Sequence, residues 1–178
     1  MAMVEGVCNE HAYNATMEEL VRRAALVGAL LKARKETVAV CESSAGGLIT
    51  AALLAVPGAS AWVLGGMVIY TRQAWDALAG FQESQLRGAR SSTEINAQVR
   101  ADLIRERFRS SWGLGETGAA GPAGNRYGDP AGHVCLAVSG PGQGATTLRT
   151  GQAERLANMH AFTLAALDYF KQKIESIQ

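Results

Sequence analysis

The stretch CESSAGGLIT, residues 41–50, decides the fold. It lies between a β-branched run that predicts a buried strand (37–41) and an apolar run that predicts a helix (48–55). Its two glycines allow a tight turn and a close approach of a ligand to the backbone. N–H groups at the start of a helix favour a negatively charged ligand. The stretch therefore predicts either a plain turn with a serine cap, or a ligand-binding turn in which Ser43 or Ser44 attacks a substrate.

A second segment, GAAGPAGNRYGDPAG (118–132), also follows a predicted strand (112–117). A loop of this length within a compact domain is more often functional or disordered than a plain connection. Loops that follow neighbouring strands of an α/β sheet can share one crevice. The segment therefore predicts a second wall of the same site, with disorder as the alternative.

The rest of the chain alternates helical and strand patterns. A capping box at Thr16 and Glu19 predicts that the first helix starts there and runs to about residue 33. A helix at 92–108, capped by Ser92 or Thr93, has a predicted core face at Ile95, Val99, Leu103 and Ile104. The remaining predicted elements are a strand at 61–70, a short helix at 71–78, a hairpin at 133–138 and 145–150, and a helix at 152–173.

This order predicts a three-layer α/β/α sandwich with a mixed, mostly parallel sheet and a late antiparallel hairpin. The predicted organisation is a tail at 1–15 and a single domain at 16–178, which is long enough for a sizeable core.

Composition limits the classes of function. The net charge is +1, which gives no global electrostatic reason to expect nucleic acid or a membrane as partner. The N-terminus lacks the pattern of a signal peptide, and the three cysteines have no metal-binding spacing, so we expect free thiols and a cytoplasmic protein. The arginines of the 92–108 helix are expected on a solvated face, and His133 is expected to be a polar residue at a strand end.

The loop motifs together resemble a known family. An ES-x-x-GG turn (42–47) is followed by VPGAS (56–60), GGMVIYT (65–71) and TGAAGPAG…GDPAGHVCLAV (117–138). In this order and spacing, residues 18–172 resemble the CinA C-terminal domain family, whose active members are nicotinamide mononucleotide deamidases. The resemblance implies an α/β/α fold, hydrolysis of a nucleotide carboxamide, no metal or other cofactor, a small-molecule mononucleotide as ligand, and a homo-oligomer.

The resemblance also implies the site. The family's attacking hydroxyl falls at Ala45 in this chain, but two serines remain in the turn, so a working enzyme would use Ser44 or Ser43 as the catalytic nucleophile, with His133 or Glu42 as its base. The implied substrate-binding residues are Glu42, Ala45, Gly46, Gly47, Tyr70, Thr71, Trp75, Thr117, Gly118, Ala119, Gly121 and Arg155.

The chain departs from the family pattern at three positions. The family reads E-S-C-[ST]-G-G, then Y-S-N-x-x-K, then G-D-R, whereas this chain has Ala45, Trp75 and Ala153 where the hydroxyl, the lysine and the arginine are expected. No lysine lies between residues 36 and 170, although Arg155 follows two residues after Ala153. Trp75 would instead offer an apolar stacking face. We therefore expect weak or absent deamidase activity, with a non-catalytic nucleotide-binding or protein-interaction role as the alternative.

Overall fold

The fold is built on a mixed five-stranded sheet with strand order β2-β1-β3-β4-β5. The computed structural model describes residues 10–77, 83–86 and 88–177, without the side chains of residues 10–16, 83 and 85. The strands are β1 (Val38–Glu42), β2 (Val63–Val68), β3 (Trp112–Ala119), β4 (His133–Ser139) and β5 (Gly144–Arg149). β1 pairs in parallel with β2 and β3, whereas β3–β4 and β4–β5 are antiparallel. The predicted α/β class and the late hairpin are confirmed.

Helices cover both faces of this sheet. They are α1 (Glu10–Arg34), α2 (Leu48–Leu54), α3 (Arg72–Ala77), α4 (Glu94–Phe108) and α5 (Arg155–Glu175). The main core joins α1, α2 and α5 to one face, and α4 packs on the other face. None of the helices in the described residues is both long and apolar enough to cross a membrane.

The first helix starts earlier than its sequence signal predicts. α1 begins at Glu10, so Thr16 lies inside the helix and not at its start. The Glu19 carboxylate instead contacts Arg22 and Arg23 on the next turn. Residues 1–9 of the predicted tail, together with Cys8, lie outside the described residues.

The predicted core face of α4 is wrong in part. Thr93 caps the helix as predicted, accepting a hydrogen bond from the N–H of Asn96. Ile104 is buried, but Ile95 is 65% exposed, and Val99 and Leu103 are only partly buried. The residues that face the sheet are Asn96, Ala97, Arg100, Ala101 and Ile104.

Two glycines of β3 explain why α4 turns this face, and not the predicted one, towards the sheet. A Cβ added at Gly113 would lie 2.0 Å from the Ala101 carbonyl oxygen, and one at Gly115 would lie 2.1 Å from that of Ala97. The α4 backbone therefore rests directly on the β3 backbone, and only small side chains fit between them. Larger apolar side chains such as Ile95 are turned outward.

Candidate functional site

The carboxylate of Glu42 caps the start of α2. Glu42 ends β1 and is fully buried. Its two oxygens accept hydrogen bonds from the backbone N–H groups of Gly47 (2.9 Å), Ile49 (3.2 Å) and Thr50 (3.0 Å), and from the Thr50 hydroxyl (2.6 Å). Burial raises the pKa of this carboxyl, the Thr50 donors lower it, and the neighbouring Glu116 raises it further. The helix start that could have bound a ligand anion is thus occupied by the chain's own carboxylate.

A second buried carboxylate, that of Glu116, holds the preceding part of the turn. The β1–β3 register pairs Cys41 with Gly115, so Glu42 and Glu116 lie side by side. Glu116 accepts hydrogen bonds from the N–H groups of Ser43 (2.8 Å) and Ala45 (3.0 Å). Its other oxygen accepts a short hydrogen bond from the Ser44 hydroxyl. Ser44 is therefore the serine with a proton acceptor at hand.

Ser44 borders a cavity of about 220 Å³, called here the Ser44 cavity. Most of its wall is the backbone of the glycine-rich loop, with Ser44, Tyr70 and Arg155 completing it. A Cβ at Gly118 would lie 2.8 Å from Ser44 Oγ and 2.5 Å from the His133 carbonyl oxygen. The absence of a side chain at Gly118 is what allows the Ser44 hydroxyl to reach β3.

Arg155 joins the glycine-rich loop to the end of β2. Its guanidinium donates to the Gly121 carbonyl oxygen and to the Tyr70 hydroxyl, the latter at 2.7 Å. The side chain lies two positions after Ala153, where the family resemblance places an arginine. A guanidinium is consequently present at the Ser44 cavity although residue 153 is alanine.

Hydrogen bonds also fix the 118–132 segment, so it has a defined conformation and the disorder alternative is wrong. Arg90 forms two hydrogen bonds with the Asp129 carboxylate, at 2.5 and 3.1 Å. Asn125 donates to Asp129 at 2.8 Å, and its side-chain oxygen accepts from the N–H groups of Tyr127 and Asp129. Asn158 of α5 donates to the Ala120 carbonyl oxygen at 2.7 Å. The loop is thereby held over the end of β3.

Neither base suggested by the sequence contacts Ser44. The Glu42 carboxylate is engaged by α2, as described above. His133 lies on the opposite face of the sheet, where its Nε2 is 3.0 Å from the Ser92 carbonyl oxygen and 3.5 Å from Cys135 Sγ. The residue that contacts the Ser44 hydroxyl is Glu116.

Trp75 pairs with an arginine that was expected on a solvated face. Arg100 is 2% exposed, and its guanidinium lies 4.7 Å from the centre of the Trp75 ring. It also donates to Asn96 Oδ1 (2.9 Å) and to the Ile69 carbonyl oxygen (3.1 Å). The expectation of a solvated face is therefore wrong for Arg100. A positive charge remains beside position 75, where the resemblance expects a lysine.

The other residues implied by the resemblance lie at the same edge of the sheet. Gly46 and Gly47 adopt positive φ angles of 68° and 100°, which the turn requires. Ala45 belongs to the main core, and Ser43 is 8% exposed. Three further residues, Thr71, Thr117 and Ala119, have different surroundings. Thr71 accepts a hydrogen bond from the N–H of Ala74, Thr117 accepts one from Ser92 on the α4 face, and Ala119 borders the Ser44 cavity. Their contact with substrate stays a prediction.

Sequence reasoning missed Glu116 and Arg100. Glu116 is a lone acid in an otherwise uncharged strand, WGLGETGA, and this isolation is the signal that could have found it. Arg100 follows Asn96 by one helical turn and precedes Ile104 by another, so it lies on the buried stripe of α4. The sequence pattern instead favoured the neighbouring, more apolar stripe of Ile95, Val99 and Leu103 as the buried face.

Fold and site together define an α/β protein with a crevice at the ends of β1, β2 and β3. The family model described as the CinA C-terminal domain matches residues 21–174, and the chain belongs to this family. A CinA-like protein of Anaeromyxobacter sp. (strain Fw109-5) is 38% identical over 164 residues, which are 90% of this chain and 39% of the relative. One of Gloeobacter violaceus is 36% identical over 148 residues, which are 82% of this chain and 35% of the relative. The chain thus spans well under half the length of these relatives.

Solved structures with the same fold include the competence/damage inducible protein CihA from Agrobacterium tumefaciens. It is 27% identical with a TM-score of 0.74, and the match covers 97% of this chain and 99% of that one. The competence damage-inducible protein A (ComA) from Klebsiella pneumoniae has a TM-score of 0.81 at 23% identity, covering 89% and 99% of the two chains. The second likeness concerns the fold alone.

Proposed function

We propose that the protein slowly hydrolyses the carboxamide of a nicotinamide mononucleotide-type substrate, with Ser44 as the nucleophile and Glu116 as the base. The observation that carries this proposal is the hydrogen bond from the Ser44 hydroxyl to the Glu116 carboxylate beside the Ser44 cavity. A serine hydroxyl attacks an amide only when a neighbouring group accepts its proton. Glu116 is in place to do so.

The reaction balances with these two residues and one water molecule. Ser44 Oγ bonds to the amide carbon while its proton passes to Glu116, which then gives that proton to the departing ammonia as the C–N bond breaks. Water then attacks the resulting ester. Glu116 takes a proton from this water and returns it to Ser44 Oγ, releasing the product as a carboxylic acid, which gives its remaining proton to the ammonia and becomes a carboxylate. The hydrogen bonds from the N–H groups of Ser43 and Ala45 keep the Glu116 carboxylate in position during these transfers.

The expected rate is low because the chain lacks three groups that the resemblance assigns to the reaction, among them the lysine expected at the position of Trp75. Ala45 provides no hydroxyl beside the glycine pair, and Ala153 provides no guanidinium at the start of α5. Arg155 contacts the loop at Gly121 and Tyr70, so it supplies a cation from a different position.

The test is an assay of the full chain with nicotinamide mononucleotide, measuring both ammonia and the deamidated nucleotide. Ser44→Ala should abolish release. Ser43→Ala is the matched control, because it removes the neighbouring hydroxyl but keeps the backbone N–H that contacts Glu116. Equal rates for the wild type and Ser44→Ala, or no release above a heat-inactivated sample, would refute the proposal.

A second candidate is binding of a mononucleotide without hydrolysis. It is favoured by the joint presence of Ala45, Trp75 and Ala153 at positions where the family resemblance expects reactive groups. Calorimetric titration with nicotinamide mononucleotide distinguishes the two candidates. Saturable binding with no ammonia release supports this second function.

A further inference from the structure

A larger cavity adjoins the Ser44 cavity and shares Tyr70 and Asn125 with it. Its volume is about 490 Å³, within the range of small-molecule sites. Four arginines line it, so we call it the arginine cavity: Arg72, Arg90, Arg100 and Arg126. The rings of Tyr70, Trp75 and Tyr127 complete much of its wall. Nothing in the proposed hydrolysis requires four guanidinium groups.

The arginine cavity carries positive charge at Arg100 and Arg126. Its lining includes no aspartate or glutamate among the residues that the structure describes. The positive charge of Arg90 is compensated by the carboxylate of Asp129, which is not part of the cavity lining. Arg126 instead donates to the Tyr127 hydroxyl at 2.8 Å. This hydroxyl is neutral, so the contact does not compensate the positive charge of Arg126. A concave surface with charge of one sign concentrates ligands of the opposite sign.

Arg100 is the deepest of these charges. It is 2% exposed, and its contacts are the Asn96 amide oxygen, the Ile69 carbonyl oxygen, Cys41 Sγ at 3.8 Å and the Trp75 ring. Within the described part of the chain, no carboxylate contacts its guanidinium. A buried charge without a counter-ion is costly, whereas a bound anion would compensate it.

The turn at 43–48 has few N–H groups left for that anion. The N–H groups of Ser43 and Ala45 are bound to Glu116, and that of Gly47 is bound to Glu42. The N–H groups of Gly46 and Leu48 are bound to carbonyl oxygens of the same turn. An anionic group that enters this crevice therefore finds its strongest donors in the arginine cavity.

We propose that the arginine cavity binds the phosphate monoester group of an organic phosphate, with Arg100 and Arg126 as specificity-determining residues. A phosphate monoester carries a charge of roughly −1.5 to −2 at neutral pH and presents three oxygens that accept hydrogen bonds from guanidinium groups. The ring of Tyr127 or Tyr70 is available to pack on the attached sugar or base. The inference deepens the proposed function, because a substrate whose amide enters the Ser44 cavity would extend its phosphate into the adjoining space.

The first experiment tests phosphate binding apart from hydrolysis. Titration calorimetry with ribose 5-phosphate uses the full chain, Arg126→Gln and Arg100→Met, with Arg109→Gln as the control. Arg109 is an exposed arginine at the far end of α4, so its substitution changes the net charge equally. We expect Arg126→Gln and Arg100→Met to weaken binding by about 10- to 100-fold and Arg109→Gln to leave it unchanged. Because Arg126 is exposed, Arg126→Gln remains informative if Arg100→Met fails to fold.

The second experiment identifies the source of the phosphate. Nicotinamide mononucleotide and nicotinamide riboside, which lacks the phosphate, are titrated into Ser44→Ala, where hydrolysis cannot interfere. If the substrate's own phosphate fills the cavity, the mononucleotide binds at least about tenfold more tightly, and Arg126→Gln removes this difference. If a separate phosphate ligand fills it, ribose 5-phosphate and the riboside bind together without competing.

Two results would overturn the proposal. One is the absence of ribose 5-phosphate binding to the wild type. The other is an equal loss of binding in Arg109→Gln and Arg126→Gln, which would indicate a general charge effect. Failure of the hydrolysis assay would leave both binding experiments unaffected, so the two proposals fail independently.

Discussion

Replacing Glu116 by glutamine should separate the chemistry of the site from its structure. The glutamine oxygen can accept the N–H groups of Ser43 and Ala45, as one carboxylate oxygen does now. The glutamine NH2 then faces Ser44 Oγ and donates to it, which reverses the present hydrogen bond. Ser44 keeps a partner but loses its proton acceptor.

The expected magnitudes follow from these contacts. Two hydrogen bonds to a charged oxygen become bonds to a neutral one, which costs about 1 kcal/mol each, or about 2 kcal/mol of unfolding free energy. A neutral amide is easier to bury than a carboxylate, so this value is an upper figure. Loss of the general base should lower the hydrolysis rate by about 10²- to 10⁴-fold.

The assay pairs urea unfolding with ammonia release for the wild type, Glu116→Gln and Glu42→Gln. Glu42 is the matched control, since it is an equally buried carboxylate that bonds to Gly47, Ile49 and Thr50 and makes no contact with Ser44. Glu42→Gln should lose at least as much stability, because its NH2 group would face backbone N–H donors in either orientation, while retaining most of the hydrolysis rate.

Two outcomes would refute this reasoning. Hydrolysis by Glu116→Gln within tenfold of the wild type would show that Glu116 is not the base. An equally deep loss of activity in Glu42→Gln would show that the conformation of the turn, rather than proton transfer, limits the rate.

Three further changes test packing, thiol burial and the loop. Gly115→Ala should cost about 1–3 kcal/mol, since its Cβ would lie 2.1 Å from the Ala97 carbonyl oxygen; an unchanged urea midpoint would contradict this. Burial raises the pKa of the Cys41 thiol to about 11, so mass spectrometry should find Cys41 alkylated only after unfolding, and rapid alkylation of the folded chain would argue against burial. The Arg90 guanidinium lowers the pKa of Asp129 in the folded chain. Asp129→Asn should therefore destabilise the fold at neutral pH but not in strong acid, because this stabilisation disappears as pH falls through the lowered pKa; an equal deficit at both pH values in urea unfolding would exclude the linkage.

The sequence pattern predicted where the helices and strands lie better than it predicted which of their faces are buried. Short β-branched runs and glycine-rich breaks were sufficient to predict β1, α2 and the β4–β5 hairpin, because these signals depend on local backbone preferences. The face of α4 depends instead on two glycines of β3, which follow the helix in the chain and meet it only in the folded protein. The spacing of apolar residues within α4 carries no information about this contact.

The backbone of the candidate site could be predicted from the sequence, whereas the positions of its charged side chains could not. The glycines at 46, 47 and 118 marked the turn and the loop correctly. Glu116 and Arg100 were missed because their roles depend on pairings across the sheet: Glu116 with the turn after β1, and Arg100 with Trp75. The sequence also indicated an anion-binding helix start, whereas Glu42 occupies that position itself.

The turn between β1 and α2 is fastened mainly through its peptide groups. Glu116 holds it near Ser43, and Glu42 holds it near Gly47, so its course depends little on the side chains at 43 and 44. A hydroxyl can therefore be lost at either of these two positions while the domain keeps its fold. A single substitution can therefore change the chemical groups that this turn presents to the Ser44 cavity while the peptide contacts that hold it are kept.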